Sequence, residues 1–435
     1  MVAWNTNSAS RIAILAGART PMAKAGTSLR EVHASELARV AIQEALYRAN
    51  CPAEALDEVI LGNVVMPADA ANLARVSAIW AGVPREVPGI TLQRNCASGM
   101  EAVSEAAMRI RGGLGHLMLA GGAESMSNVP LLFPQETMVP MTRMARAKGA
   151  FQKAGAVATL RPRHFKPIAA LELGLSDPTC GMIMGKTAEV LVQEFGISRR
   201  EQDEFALQSH QKAVAAMKSG RFDEEIVPVY AGRKFDPVTQ DNGPRENQTM
   251  EALAKLKPIF DRKDGSVTVG NSCQVTDGAA ALLVADADWA NAHGATPLGY
   301  VRAYAYAGLD PSRMGLGPVF AIDQLLKQTG LEIGDIPLFE INEAFAGQVL
   351  ACLKAMASDD YCQKHLGRSK AIGEIDPQTL NVNGGAIALG HPVGATGARL
   401  VLTLLLEMQR RNFERGVAAL CVGGGQGAAI LLERS

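Results

Sequence analysis

In the stretch "RNCASGMEAV", Cys96 follows a short apolar segment, "PGITLQ", and stands just ahead of a helical pattern that brings Met100, Val103, Ala107 and Ile110 onto one stripe. A cysteine at such a strand-to-helix corner meets the free amides of a helix N-terminus, which favour a thiolate and lower the pKa. A packed core thiol is the other reading of the same residue. A second thiol, Cys421, ends the apolar run of "ALCVGGGQGAA", where Gly423 and its neighbours offer backbone amides for an oxyanion. His391 lies between glycine clusters in "NVNGGAIALGHPVGATGARL", stiffened by Pro392, with side-chain bulk removed as a base serving a large substrate requires. Asn342 and Glu343 in "FEINEAFAGQV" mark the end of an apolar strand and the start of a helix. Asn342 either caps that helix or binds a carbonyl oxygen, directly or through water.

These residues need a scaffold, and the pattern around them supplies one. "RIAILAGAR" reads as a buried strand, "SELARVAIQEALYRAN" as an amphipathic helix and "DEVILGNVV" as another strand. "GHLMLAGGAES" reads as a strand closing in glycines, with His116 at its start in a structural role. From Ser125 the alternation breaks. It resumes with "PLGYVRAYAYAG" and "AIDQLLKQTG", so the chain is an α/β protein with an inserted middle segment. Within that segment Ser198 and Glu201 are spaced as a capping box. A faint repeat relates "NCASGMEAVSEAAMRIRGGLGHLMLAGGAES" to "GATGARLVLTLLLEMQRRNFERGVAALCVGGGQG", each running turn, helix, basic helix end, strand and paired glycines. Two such halves place a site at their junction.

The 435 residues are 48% hydrophobic and 20% charged, the composition of a large folded core. A formal net charge of -1 gives no reason to expect a nucleic-acid partner. The seven scattered cysteines form no CxxC pair, which suits a reducing compartment, and the N-terminus lacks a secretory pattern. A cytoplasmic protein is expected. Cys352, Cys362 and His365 fit no metal-site spacing. The "GGGQG" run lacks the spacing and position of a dinucleotide-binding turn. Between Met141 and Pro167 lie Arg143, Arg146, Lys148, Lys153, Arg161, Arg163 and Lys166 but no acidic residue. That is either a solvated basic face or a docking surface for phosphate, a membrane or a partner protein.

In order along nearly the whole chain, "ARTPMAKAG", "NCASGMEAV", "GGAESMSN", "NEAFA", "GGAIALGHPVGATGAR" and "CVGGGQGAA" resemble the motifs of the thiolases. The resemblance implies two βαβαβαββ halves in a five-layered αβαβα arrangement with an inserted loop domain. The expected division is 1–122 with 274–294, an insertion at 123–273, and 295–435. It also implies that Cys96 accepts the acyl group, His391 activates it and Cys421 exchanges the proton at the substrate α-carbon. Asn342, with His391 and a water, would serve one oxyanion hole, and the amides of Cys96 and Gly423 the other. Acyl and CoA contacts fall to Met184, Ser272, Cys273, Ala344 and Phe345. The implied reaction is thiolytic cleavage of a 3-ketoacyl-CoA by coenzyme A, reversible as a Claisen condensation, with no metal or organic cofactor and with at least a homodimer or homotetramer.

Two departures bear on chain length: Ile183 stands where acetoacetyl-specific members usually carry histidine, and Cys273 replaces a common serine. The basic insertion is similar to that of β-subunits of the fatty-acid oxidation trifunctional complex, which would place a hydratase/dehydrogenase subunit or a membrane against 141–167. The C-terminal motifs lean toward acetoacetyl-CoA thiolases instead. A decarboxylating ketoacyl synthase would lack Cys421. A noncatalytic acyl-CoA-binding subunit would have no use for the intact set of Cys96, His391, Asn342 and Cys421.

Overall fold

A computed structural model describes residues 11–435; the first ten residues, on which the reading of the N-terminus partly rests, lie outside them. The first half runs β1 (Ile12–Arg19), α1 (Ala34–Arg48), β2 (Glu58–Gly62), α2 (Leu73–Trp80), β3 (Gly89–Leu92), α3 (Ser98–Arg111) and β4 (Leu117–Ser125). Two helices of the intervening segment matter to the site, α4 (Met184–Glu194) and α5 (Arg199–Lys218). The main sheet resumes with β5 (Thr276–Asp286) and β6 (Gly299–Gly308). There follow α6 (Gly317–Thr329), β7 (Phe339–Ile341), α7 (Ala346–Met356), α8 (Val393–Arg411), β8 (Arg415–Val422) and β9 (Gln426–Glu433).

The strands lie in the order β7-β8-β9-β6-β1-β5-β4-β2-β3. Each half repeats one pattern. β4, β2 and β3 are parallel while β4-β5-β1 is antiparallel, and β8 is parallel to β7 while β8-β9-β6 is antiparallel. A single parallel bridge from Phe339 to Leu380 stands where the second half's counterpart of β3 would be. The halves meet edge to edge through three residues of β1 and β6.

Alternation along the strands builds the layers, because successive side chains leave opposite faces of a strand. On β5, Ala279, Ala281, Leu283 and Ala285 join α1 and α2 in one core, while Ala280, Leu282 and Val284 face α3 and α8. On β8, Ala418, Leu420 and Val422 face the same central helices, while Val417, Ala419 and Cys421 pack with α6 and α7. The result is helix, sheet, helix, sheet, helix. From Val393 to Met408 every residue of α8 is buried, as a helix between two sheets must be. Its buried Arg399 pairs with Glu340 at 3.4 Å.

The two central helices touch backbone to backbone. A Cβ on Gly397 would lie 2.2 Å from the Met100 amide, so a side chain there would force the helices apart. Gly121 and Gly122 do not end β4 as read from the sequence; they lie inside it, and a Cβ on Gly122 would lie 2.0 Å from the Gly394 carbonyl. No helix among the described residues is long and apolar enough to cross a membrane.

The middle segment adds no strand to the main sheet between Ser125 and Thr276. Ser198 and Glu201 form the expected capping box on α5. The basic stretch folds into two short helices, Met138–Arg146 and Ala150–Ala158. Around it Leu131, Phe133, Met138, Val139, Phe151, Val157 and Phe165 stay exposed, Phe151 almost completely at 96%.

Candidate active site

The corner between β3 and α3 carries Cys96. Asn95 just before it adopts φ +43°, a left-handed conformation that asparagine tolerates better than most residues. Its Nδ2 donates to the Gly423 carbonyl at 2.8 Å, which fastens the glycine turn after β8 over the corner. The amides of Gly423 and of Cys96 itself reach the Cys96 sulfur and favour its charged form. They are outweighed. Cys96 lies deep in the protein although partly accessible, and burial pushes its thiol above the ordinary value. Burial at this corner thus opposes the thiolate that the helix N-terminus and the two amides favour.

Cys421, at the end of β8, is fully buried, and burial together with the neighbouring Cys96 pushes its thiol well up. Cys273 is a third thiol in the same field, pushed up to about 12 by burial and by Cys96. Its amide donates to the Ala344 carbonyl at 3.0 Å, which ties the 271–275 segment to the residues after Asn342. The Met184 sulfur lies 3.2 Å from where a Cβ on Gly423 would stand.

His391 precedes α8 by two residues, as Cys96 precedes α3. Its amide donates to Thr276 Oγ1 at 3.1 Å. Thr396 Oγ1 donates to the Pro392 carbonyl at 2.9 Å and lies 2.7 Å from His391 Nδ1. With its own hydrogen committed to Pro392, that hydroxyl accepts from Nδ1–H, so the proton sits on Nδ1 and Nε2 keeps its lone pair. Nε2 is buried without a protein partner. Burial, with a smaller effect of Arg399, holds the imidazole down to about 3, so it is a neutral acceptor at physiological pH.

Asn342 does not cap α7; the N-cap is Phe345, and no side chain caps the helix. Asn342 is instead 1% exposed with both Oδ1 and Nδ2 unpartnered. Leaving buried amide atoms unpaired costs on the order of 1–3 kcal/mol each, a cost that a bound ligand or water would relieve.

The remaining sequence-predicted residues divide. Ala344 and Phe345 are buried beside Asn342, with the Phe345 ring edge-on to Phe260 at 6.0 Å. Ser272 bridges to Phe345, but its hydroxyl donates to the Thr268 carbonyl at 2.7 Å, so its hydrogen is spent within its own loop. Cys352 donates to the Gly315 carbonyl, Cys362 to Ala355, and His365 stacks on Tyr361. No metal-holding cluster occurs among the described residues. His116 is exposed at the foot of β4. The sequence reading missed Asn95, Thr396 and Thr276, all polar neighbours within five residues of a named side chain or on a strand distant in sequence.

A buried thiol under two amides, a neutral imidazole with a free lone pair, an unpaired carboxamide and a second buried thiol are the kinds of group that acyl transfer requires. Residues 12–288 match the profile of the thiolase N-terminal domain and residues 295–434 that of the thiolase C-terminal domain. A 3-ketoacyl-CoA thiolase of Yersinia enterocolitica is 38% identical over 429 residues, covering 98% of each chain. The crystal structure of the Bacillus anthracis acetyl-CoA acetyltransferase superposes with a TM-score of 0.86 at 40% identity, covering 99% of this chain and 100% of that one. Human mitochondrial 3-ketoacyl-CoA thiolase in complex with CoA gives 0.84 at 35% identity and 98% coverage of both.

Proposed function

This chain belongs to the thiolase family, and from that premise we propose that it cleaves 3-ketoacyl-CoA with coenzyme A through an S-acyl Cys96. It is an acyltransferase. The observation that carries the residue assignment is the set of unpaired buried atoms, Asn342 Oδ1 and Nδ2 with His391 Nε2, in a fold that also brings the Gly423 amide to Cys96.

His391 Nε2 takes the Cys96 proton as sulfur attacks the 3-keto carbon. The C2–C3 bond breaks, its electron pair leaves as the enolate of acetyl-CoA, and Cys421 protonates the α-carbon. Asn342, with His391 and a water, stabilises one oxyanion; the amides of Cys96 and Gly423 stabilise the other. Coenzyme A then gives its proton to the Cys421 thiolate and attacks the thioester, and Cys96 leaves with the proton stored on His391. Run backwards, the same steps join two acyl-CoA molecules. These steps use no metal or organic cofactor. Met184, Cys273, Ala344 and Phe345 form the walls that meet the acyl and pantetheine groups, with Ser272 behind them.

Thiolysis of 3-ketoacyl-CoAs from four to sixteen carbons tests the reading. Activity sustained with length is the expected result, since Ile183 is apolar where short-chain specificity would place a histidine. A steep preference for acetoacetyl-CoA makes this a short-chain acetyltransferase instead, and no thiolysis at any length overturns the assignment.

The three thiols of the site work only when reduced, which suits the cytoplasm. A second copy is assigned to the open edge of β3, where Ile90 and the nearby Trp80 are exposed. The exposed apolar side chains among seven cations at 141–167 are assigned to an anionic membrane surface. Sedimentation tests both: the protein alone is expected to run as a dimer or larger, and to pellet with anionic but not zwitterionic vesicles. A monomer removes the first assignment, and equal pelleting or none removes the second.

A further inference from the structure

Glu343 touches none of the proposed reacting groups, yet it is buried at 1% exposure and every donor around it points inward. Its Oε2 accepts from Ser209 Oγ on α5 at 2.6 Å and from the Ile387 amide at 3.2 Å. Its Oε1 accepts from Asn381 Nδ2 at 2.8 Å. Ser209 Oγ in turn accepts from the Gly385 amide at 3.1 Å. Asn381 is fixed at φ +46° and pairs reciprocally with the backbone of Ile341, accepting its amide at 2.8 Å and donating to its carbonyl at 2.9 Å. One carboxylate therefore joins the strand that presents Asn342, the helix α5 of the middle segment, and the loop that ends at His391.

The glycines of "NGGAIALGHP" take their meaning from this junction. Gly384 has φ +77° and a Cβ there would lie 2.6 Å from the Ser209 carbonyl. A Cβ on Gly385 would lie 2.2 Å from the Glu343 carboxyl carbon. Open space for substrate, expected from the sequence, is not what these two glycines provide; Ser209 and Glu343 occupy it.

We propose that Glu343 is a positioning residue that sets the loop carrying His391 against Asn342, with Ser209 of the middle segment as its second anchor. The proposal rests on the thiolase reading for the roles of Asn342 and His391. Glutamine keeps the shape of Glu343 but cannot satisfy the junction. Asn381 cannot turn over without losing both bonds to Ile341, and the Ile387 amide can only donate. Whichever way the new amide faces, its NH2 meets a donor.

For Glu343→Gln, kcat is expected to fall on the order of 10²-fold with KM for CoA within about threefold, because a displacement near 1 Å costs about that much. Amide hydrogen exchange across Gly384–Ile387 is expected to quicken about tenfold or more. Ser209→Ala removes one anchor and is expected to give a smaller change of the same kind; it serves if Glu343→Gln does not fold. A kcat within about threefold of wild type, or activity lost only in proportion to folded protein with loop exchange unchanged, overturns the proposal. Absence of thiolysis in the wild-type protein overturns the functional reading instead, and the exchange measurement still reports whether the junction holds the loop.

Discussion

Cys96→Ser is expected to leave no S-acyl adduct by intact mass after incubation with acyl-CoA and to lower thiolysis on the order of 10⁴–10⁶-fold, with CoA affinity nearly unchanged. A hydroxyl is a far weaker acid than a thiol, and burial penalises the anion at this corner even for sulfur. The neutral His391 can take a proton from the thiol as the S–C bond forms, but the same imidazole meets a much steeper barrier with serine. The pH dependence in the wild type follows from the same direction. Because burial raises the Cys96 pKa, the thiolate fraction grows with pH, and alkylation by iodoacetamide is expected still to climb through about pH 9. Alkylation already level below about pH 7 shows a resting thiolate and restores the helix-dipole reading. An adduct in the serine variant at the wild-type rate removes Cys96 as the nucleophile.

The direction of that shift illustrates where sequence reasoning stops. The strand and helix at Cys96 follow from apolar spacing over a dozen residues, and so do β1, α1 and β6. The environment of the sulfur does not, because Asn95 draws the Gly423 turn over it from the far end of the chain. Capping by Asn342 stays open in the sequence for the same reason: the strand end that carries it is held by Asn381, which bonds both the amide and the carbonyl of Ile341 from a distant part of the chain. The paired glycines before His391 are legible as close approach, but what approaches them is not.

The two halves repeat one unit and use its polar corners differently. Cys96 precedes α3 as His391 precedes α8. Asn63 follows β2 as Asn342 follows β7, and Glu124 is the penultimate residue of β4 as Cys421 is of β8. The two triplets differ in what their polar atoms do. Asn63 donates to the Ala123 carbonyl and to Glu124, and Glu124 accepts from the amides of Val64, Val65 and Gly394 at 3.0–3.1 Å. Burial pushes that carboxyl up to about 7, and these hydrogen bonds pull against it. In the first half, then, the equivalent positions bind the N-terminus of α8 to β4. In the second half neither amide atom of Asn342 is partnered, His391 Nε2 is unpartnered too, and the place of Glu124 is taken by the Cys421 thiol.

That division makes Cys421 the residue whose replacement separates the two half-reactions. Cys421→Ser is expected to acylate Cys96 within about tenfold of the wild-type rate, because His391 and both oxyanion sites are intact. Exchange of the acetyl-CoA methyl protons with D2O is expected to slow on the order of 10²–10⁴-fold, the range for losing a positioned acid/base. Burial pushes the Cys421 thiol well above its usual pKa, so in the proposed reaction it would keep its proton until the enolate forms, and serine is a weaker acid still. Nuclear magnetic resonance of acetyl-CoA in D2O follows the exchange, and intact mass follows the acylation. Exchange at the full rate assigns the α-carbon proton to another group, with Cys273 the next candidate because its thiol shares the field of Cys96. Loss of acylation together with exchange instead makes Cys421 necessary for the architecture around Cys96, since its side chain also packs into the core shared by α6 and α7.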